Sequence, residues 1–595
     1  MDAEATPFAL STPQTPPPLR WLLRAVERAT GLARLQRDHA AIDTALGDDA
    51  GAAAQWLDAA ERWLDLTLDL PDGDLERVPA NGAAIVAAEH PTGAMEGILL
   101  LALLRRRRPD VKVLANRWLQ RIAALRDLVL PIDVYGPGNL GAVRAALRHL
   151  GDGGLLLAFP AGEVAWRRAG RRRAVEATWQ EAFAALQRRA AAAVVPVHVA
   201  ARNPGWFHLA GSVHRHLRTA LLPRALLAQR GREVTIRVGH PIPARQLERF
   251  GDDDRARCDY LRLRTELLAR RTGERRTALP APSVQAPLEP RGDVRALAAE
   301  IDALPATMQL LDGNGLRVFC APADAIPRTL REIGRLRELT FRGVGEGSGE
   351  AIDLDAFDAS YRHLFVWDPA AREVVGAYRI GLSDELLARG GSKALYTSTF
   401  YDYADGFWER LSPALELGRS FVQPAYQKGF APLLLLWRGI GAFVAKHPRY
   451  RRLFGTVSIS ADHQPTSVRL MVDHLQTHCL ATELAPFVRA LRPWRAPRRE
   501  RSGPRWAPQQ IAELQDVSAM VRELEIDRAG VPVLLEQYLK LGARLLGINV
   551  DREFHTIDAL VVVDLLAAPE HLQQRYLGAD GAAALRAWHR PLASA

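Results

Sequence analysis

Two phrases in the first half of the chain combine a base, an acid and glycine turns: His90-Pro91-Thr92-Gly93-Ala94-Met95-Glu96-Gly97 and Phe159-Pro160-Ala161-Gly162-Glu163-Val164. An apolar stretch runs into each of them. A histidine between a strand end and a helix start feels the positive end of the helix dipole, which disfavours imidazolium and keeps the ring a neutral base. Glu96 can hold the other ring nitrogen and stabilise the charge that forms when the ring takes a proton. Gly93 and Gly97 let a substrate approach the backbone closely. This is the chemistry of acyl transfer to a hydroxyl without a covalent serine intermediate. The second phrase sets backbone N–H groups and the acid Glu163 beside the first.

A third phrase lies far downstream: Leu415-Glu416-Leu417-Gly418-Arg419-Ser420, then Gln427-Lys428-Gly429-Phe430-Ala431-Pro432. It reads as a strand, a glycine-containing turn and a helix start, where N–H groups bind phosphate. Glu416 is the candidate general base or substrate anchor, and Arg419 its structural or carboxylate-binding partner. Gln427, Lys428, Gly429 and Ala431 supply the donor-binding turn.

The elements that must carry these residues follow from periodicity. Apolar strand candidates cover residues 83–88, 111–115, 155–159, 193–199 and 234–238, with helical spacing over 97–104, 140–150 and 178–190. Alternation of this kind predicts an α/β domain. Residues 274–292 are rich in Pro, Ala and charge without periodicity, as a linker would be. Beyond them strands are expected at 316–320, 363–367, 374–380, 414–422, 453–459 and 559–565, with helices at 429–444 and 531–546. A basic stretch, 489–505, reads as an exposed loop. The expected organisation is two mixed α/β domains, 1–275 and 293–595, joined by a linker over 276–292.

At 595 residues, 48% hydrophobic and 25% charged, the chain has the composition of globular domains. Three scattered cysteines, Cys258, Cys320 and Cys479, argue against a disulfide framework or a structural zinc site and suit a cytoplasmic protein. The formal charge of +10 calls for a negative partner, whether nucleic acid, anionic lipid or an acidic protein. Two arginine runs, 105–108 and 171–173, add to that character near the first site. No apolar run approaches the roughly 18–20 residues that span a bilayer, and no signal peptide opens the chain. Leu19, Leu22, Leu23 and Val26 recur at helical spacing with Arg20, Arg24 and Arg28 between them. Such a helix either packs on its own domain or lies in an anionic membrane surface.

The first two phrases resemble the glycerolipid (lysophospholipid) acyltransferases, and more closely the branch of putative hemolysins and ornithine-lipid O-acyltransferases. Asn116, Asn139, Trp179, the run Val195 to Val199 and Gly239-His240-Pro241 extend the likeness over residues 80–250. In this sequence the acid lies six residues after His90, with Met95 at the family's usual aspartate position. The resemblance makes His90 and Glu96 catalytic and places substrate on Phe159, Pro160, Gly162 and Glu163. The loop continues as Val164, without the arginine that phosphate-handling relatives often place after the motif, so Glu163 is expected to face a cationic amino acid headgroup rather than a phosphate. The later region resembles the Gcn5-type N-acyltransferases, in particular the ornithine–acyl carrier protein branch. Leu336-Arg337-Glu338, Asp353-Leu354-Asp355-Ala356-Phe357-Asp358, His363-Leu364, the strand through Arg379 and Tyr538 to Gly542 carry that likeness over residues 314–570. It implies that Asp353, Asp355 and Arg419 bind the substrate.

Taken together, the resemblances imply a bifunctional ornithine lipid synthase. The C-terminal domain would N-acylate ornithine with a 3-hydroxyacyl group, and the N-terminal domain would O-acylate the resulting lyso-ornithine lipid. The implied partners are acyl carrier protein thioesters as donors and an anionic membrane surface, with no nucleic acid, no metal and no bound cofactor. The implied location is peripheral on the inner membrane, facing the cytoplasm. Two other readings are a pair of independent acyltransferases, the first making phosphatidic acid, and a membrane-binding scaffold with degenerate sites.

Overall fold

The computed structural model describes residues 6–11, 14–47, 52–133, 139–166, 176–213, 215–271, 285–429, 431–501, 505–525 and 530–590. The chain divides into two units, Met1–Gly273 and Glu274–Ala595.

In the first unit β1 (Thr67–Asp69), β2 (Ala84–Ala88), β3 (Lys112–Asn116), β4 (Val129–Ile132), β5 (Leu155–Ala158), β6 (Ala193–Ala200) and β7 (Glu233–Val238) form one sheet. The order is β1-β7-β6-β2-β5-β3-β4, and only β6 and β7 run antiparallel. β2 and β5 are buried at every position, which is why both read as unbroken apolar runs. They are neighbours in register, with Ala87 opposite Ala158. Their carboxyl ends therefore release the His90 and Phe159 loops side by side, at the edge where open α/β sheets place their ligands. The five expected strands are present within a residue or so. The sequence missed β1 and β4, the two sheet edges, which are too short to carry a periodic signal.

The helix Met95–Arg107 follows the His90 loop and buries Met95, Glu96 and every residue from Leu99 to Leu104. Each fully buried leucine contributes about 1.5–3 kcal/mol, so the helix start is held firmly against the sheet. Its far end corrects one expectation. The arginines at 105–108 stand about 15–20 Å along the helix from its start at Met95, at 1.5 Å per residue. Arg106 pairs with Asp58 and Glu61, while the buried Arg108 binds Asp110 and the carbonyls of Gly82 and Gly153. That run is in part structural and does not surround the site. The other run, 171–173, lies outside the described residues.

The N-terminal helix Pro17–Thr30 buries only Glu27 and Thr30, and Glu27 accepts the N–H groups of Leu10 and Ser11. Leu19, Trp21, Leu22 and Val26 are exposed, together with Arg24 and Arg28. The helix is thus docked by its polar side, contrary to a helix packed on its own domain by its apolar stripe.

The second unit is built on a larger sheet of β8 (Gln309–Gly313), β9 (Leu316–Pro322), β10 (Arg362–Asp368), β11 (Glu373–Leu382), β13 (Ala414–Val422), β14 (Arg452–Ser460), β16 (Arg544–Asp551) and β17 (Thr556–Asp564), while β12 (Tyr401–Tyr403) and β15 (Val488–Ala490) form a separate pair. The order is β16-β17-β14-β13-β11-β10-β9-β8, antiparallel throughout except between β13 and β14. Those two strands are nine residues each, yet they pair only where Ala414–Glu416 face Arg452–Phe454. β14 goes on pairing with β17 as far as Ser460. Past Glu416, then, β13 and β14 part and open a slot in the sheet. The helix Ala431–Lys446 starts beyond the end of β13 and packs across β8 to β11.

Three expectations are corrected here. The helix expected over 531–546 is Val533–Lys540, after which β16 begins at Arg544. Gly542, at φ +81°, ends the helix, and the apolar residues beyond it continue as strand. The basic stretch 489–505 is not wholly loop, since β15 and the short helix Arg498–Arg501 intrude on it. Of the linker, 276–284 lies outside the described residues. The remainder is tied to the second unit: the N–H groups of Ala286 and Glu289 donate to the carbonyls of Gly349 and Ala351, and Glu289 pairs with Arg331.

Among the described residues no helix is long and apolar enough to cross a membrane, and no group of three His, Cys, Asp or Glu could hold a metal ion.

Candidate functional sites

In the first unit Glu96 occupies the first turn of its helix and is completely buried. One carboxylate oxygen accepts the N–H groups of Thr92 at 2.9 Å and Gly93 at 2.8 Å, and lies 3.0 Å from Nδ1 of His90. The other accepts the Thr92 hydroxyl. Burial alone would raise the pKa of Glu96. The His90 pairing and the Thr92 and Gly93 bonds outweigh it and hold the carboxyl below its ordinary range. At that distance Nδ1 lacks the alignment of a formed hydrogen bond, but a negative charge on that side favours the ring hydrogen on Nδ1 and leaves Nε2 to take a proton. The six-residue spacing therefore serves, because the pre-helical turn folds Glu96 back onto His90. Met95, at the alternative position, is buried in the core.

The loop from β5 shapes the other side of the ring. Phe159 lies against His90 with ring centroids 4.5 Å apart, and Ala165 donates its N–H to the His90 carbonyl at 3.1 Å. Gly93 has φ +95°, and a Cβ there would stand 2.6 Å from both Leu222 and Val164. Gly162 has φ +67°, and its Cβ would meet the Gln180 amide at 2.2 Å. Only glycine fits either position. The N–H of Gly162 closes the turn onto the Phe159 carbonyl at 3.0 Å, so this donor expected to face substrate serves the loop itself. Glu163 is not a free acid either: Arg218 donates to it at 2.9 Å.

Behind His90 lies a layer of ionisable groups that sequence reasoning missed. Glu176 accepts the His90 N–H at 2.7 Å and the Trp179 indole N–H at 3.0 Å, and Glu89 pairs with His198. Burial, and then the nearby Glu89 charge, push the Glu176 carboxyl well above its usual range. No motif pointed to Glu176. His198 was visible as a polar residue inside the apolar run Val195 to Val199 that the likeness includes, but with no role attached.

The second unit gathers its charged residues beside β13. Arg337, 1% exposed, forks onto Asp358 at 3.1 and 2.9 Å and lies 3.1 Å from Asp353. Arg379 donates to Asp355 at 2.6 Å, with Tyr396 and Tyr361 over its guanidinium at 4.7 and 5.2 Å. Burial works against the charge of Arg379, but Asp358 and Asp355 outweigh it and hold its pKa above the ordinary arginine value. Arg419 lies 3.6 Å from Asp353 and stacks on Phe554. Its φ of +47° falls where the register of β11 against β13 slips, so a bulge turns this side chain toward the aspartates.

These contacts revise the expected roles. Asp353 is held by Arg337 and Arg419, and Asp355 by Arg379, so neither is an uncommitted carboxylate. Asp355 Oδ2, Arg379 Nη2 and Arg419 Nε are nevertheless buried without a hydrogen-bond partner. Glu416 is 2% exposed and accepts the Tyr361 hydroxyl and the N–H groups of Tyr396 at 3.2 Å and Thr397 at 2.7 Å. Burial raises its pKa, with the Tyr361 and Thr397 bonds working against that. Enclosed by its own donors, Glu416 holds the backbone of Tyr396, whose ring lies against both Arg379 and Arg419. Asp558, on β17, is pushed up to about 6 by burial despite bonds from Ser458 and Thr556. Tyr361, Tyr396, Arg379 and Asp558 had not been singled out as site residues. A lone arginine inside the apolar strand 374–380 was the one available signal. Gln427, Lys428 and Gly429 are exposed beyond β13, ahead of Ala431 at the helix start, and Phe430 lies outside the described residues.

Comparison with known proteins matches both units. Residues 55–272 fit the family described as Acyltransferase, and residues 336–437 the Acetyltransferase (GNAT) domain. A Glycine N(alpha)-acyltransferase of Bacteroides thetaiotaomicron is 32% identical over 197 residues, 30% of this chain and 58% of that protein. The chain thus spans little more than half of this relative. A Lyso-glycine lipid O-acyltransferase of Phocaeicola vulgatus is 26% identical over 195 residues, 32% of this chain and 68% of that protein. The L-ornithine N(alpha)-acyltransferase of Rhodobacter capsulatus is 32% identical over 269 residues, 42% of this chain and 90% of that protein. The chain is therefore an acyltransferase enzyme built of two acyltransferase units, and it belongs to the family of L-ornithine N(alpha)-acyltransferase.

Proposed function

We propose that the chain builds a doubly acylated amino acid lipid in two steps. The C-terminal unit transfers a 3-hydroxyacyl group from acyl carrier protein to the α-amine of ornithine. The N-terminal unit then esterifies the 3-hydroxyl of the lyso-ornithine lipid. In that second step Nε2 of His90 takes the hydroxyl proton as the oxygen attacks the thioester carbon. The tetrahedral intermediate collapses, and the departing thiolate recovers the proton from His90. Glu96 stabilises the imidazolium in between.

The observation that carries this reading is one chain bearing both a His90–Glu96 pair and similarity to an L-ornithine N(alpha)-acyltransferase over 90% of that protein. In the C-terminal unit the unpartnered atoms of Arg379 and Arg419 suit a substrate carboxylate, and that of Asp355 suits an ammonium group. The slot between β13 and β14, with Gln427 to Gly429 at its end, suits the thioester arm of the donor. The exposed face of the helix Pro17–Thr30 suits an anionic membrane surface, where the lyso-lipid intermediate would stay.

Expression in a host without aminolipids, followed by mass spectrometry of its lipids, tests the proposal. Wild-type protein yields the diacylated lipid, and His90→Ala accumulates the monoacyl form. Continued diacyl lipid in that variant, or no monoacyl lipid at all, refutes the order of steps. Two independent acyltransferases, one making phosphatidic acid, predict the second outcome. A glycine headgroup is favoured by the similarity to glycine N(alpha)-acyltransferase and lyso-glycine lipid O-acyltransferase, and isotopically labelled ornithine and glycine separate the two.

A further inference from the structure

The Phe159 loop carries no arginine among its described residues, but the fold brings one to it from another part of the chain. Arg218, on the helix Arg215–Ala220, is 4% exposed. Its Nη2 donates to Glu163 at 2.9 Å, and its guanidinium lies over the Trp166 ring at 5.3 Å. The Glu163 side chain is 36% exposed, so the pair has a buried cationic half and an open anionic half. The pair also stands beside the reacting histidine. Glu163 is two residues from Ala165, whose N–H binds the His90 carbonyl, and next to Val164, which packs on Gly93.

We propose that Arg218 and Glu163 together read the headgroup of the hydroxyl substrate, Arg218 taking its carboxylate and Glu163 a side-chain ammonium. This rests on the reading of the N-terminal unit as an O-acyltransferase for amino acid lipids, and it names the residues that select among them. Once its α-amine is acylated, an ornithine headgroup keeps one carboxylate and one ammonium. Inserted into the pair, it gives each charge an opposite partner and leaves the total unchanged. A glycine headgroup, acylated in the same way, keeps the carboxylate alone. It must compete with Glu163 for Arg218. A phosphate monoester brings more negative charge to the same carboxylate and is disfavoured further. Arg218 holds a planar fork suited to two carboxylate oxygens, which a lysine cannot reproduce.

The full-length protein is assayed for O-acylation of synthetic N-(3-hydroxyacyl)ornithine, N-(3-hydroxyacyl)glycine and the methyl ester of each. In wild type, esterifying the carboxylate lowers kcat/KM by about tenfold or more. Arg218→Gln raises KM for both acids by a similar factor with kcat nearly unchanged, and the esters then lose nothing further. Glu163→Gln raises KM for the ornithine substrate but leaves or lowers it for the glycine substrate, a change of sign that a merely structural acid would not produce. N-acylation by the same samples reports intact protein, and Arg218→Lys, which keeps the charge without the fork, stands in if Arg218→Gln fails to fold. Equal use of acid and ester by wild type overturns the assignment, as does a Glu163→Gln effect of the same sign on both headgroups. Wild type that acylates neither acid overturns the parent reading and the headgroup assignment with it.

Discussion

Exchanging Glu96 for glutamine removes one charge at nearly constant volume from a position with no solvent exposure. The carboxylate accepts two N–H groups and a hydroxyl and faces Nδ1 of His90 at 3.0 Å. Glutamine offers one carbonyl oxygen, and its NH2 then faces the Thr92 hydroxyl, which must turn from donor to acceptor. The larger loss comes when His90 has taken the substrate proton. At 3.0 Å and an effective dielectric constant of about 20, imidazolium and carboxylate attract by about 5 kcal/mol. An amide oxygen returns about 1–2 kcal/mol of that as an ordinary hydrogen bond. The deficit of about 3–4 kcal/mol predicts a fall in kcat of about 10²–10³-fold. KM changes little, because no contact to the hydroxyl substrate is removed. The assay follows thiol release from an acyl thioester with N-(3-hydroxyacyl)ornithine as acceptor, and N-acylation in the same sample serves as the control for folding. Because Glu96 titrates below the ordinary carboxylate range, the variant lags by the same factor at every pH from 6 to 9. A Glu96→Gln enzyme within fivefold of wild-type kcat would refute the reasoning and reduce Glu96 to a cap on the loop.

Gly93→Ala forces a Cβ to 2.6 Å from Leu222 and Val164 at a φ of +95°, so it costs about 2–4 kcal/mol and abolishes O-acylation while N-acylation persists. An unchanged melting temperature would contradict the packing described. Arg419→Gly relieves a positive φ worth about 1 kcal/mol and loses one ion pair, so thermal stability stays nearly level while N-acylation falls about tenfold or more; a fully active variant makes Arg419 purely structural. Asp558 has a folded pKa of about 6, above the unfolded value near 3.9, so the stability it contributes is full below about pH 4 and is lost as pH rises through 6. Denaturant titrations should show wild type losing about 2 kcal/mol relative to Asp558→Asn between pH 4 and pH 7, and a constant difference would exclude the shift.

What could be read along the chain was local. Residues 84–88 and 155–158 declare themselves as buried strands because both faces are covered, and the His90 and Phe159 phrases follow them directly. The Glu416 strand and the helix after it were equally legible, since a nine-residue strand and a sixteen-residue helix carry enough period to be seen. The edge strands β1 and β4 were not, being only three and four residues long. Past Lys540 the apolar run continues while Gly542 changes its conformation, so the apolar pattern alone does not mark where helix gives way to strand.

Pairing across the sheet and burial were decided elsewhere. That β2 and β5 are neighbours, and so place Phe159 on His90, depends on strand order. That Glu163 meets Arg218, and that Asp353 and one oxygen of Asp355 are held by Arg337, Arg419 and Arg379, depends on side chains brought together over long separations. Sequence by itself determined which residues could do chemistry and which strands deliver them. Only the tertiary structure decided which charges remain open to a substrate, because an ion pair or a buried carboxylate such as Glu416 exists only once distant segments have removed water from around it.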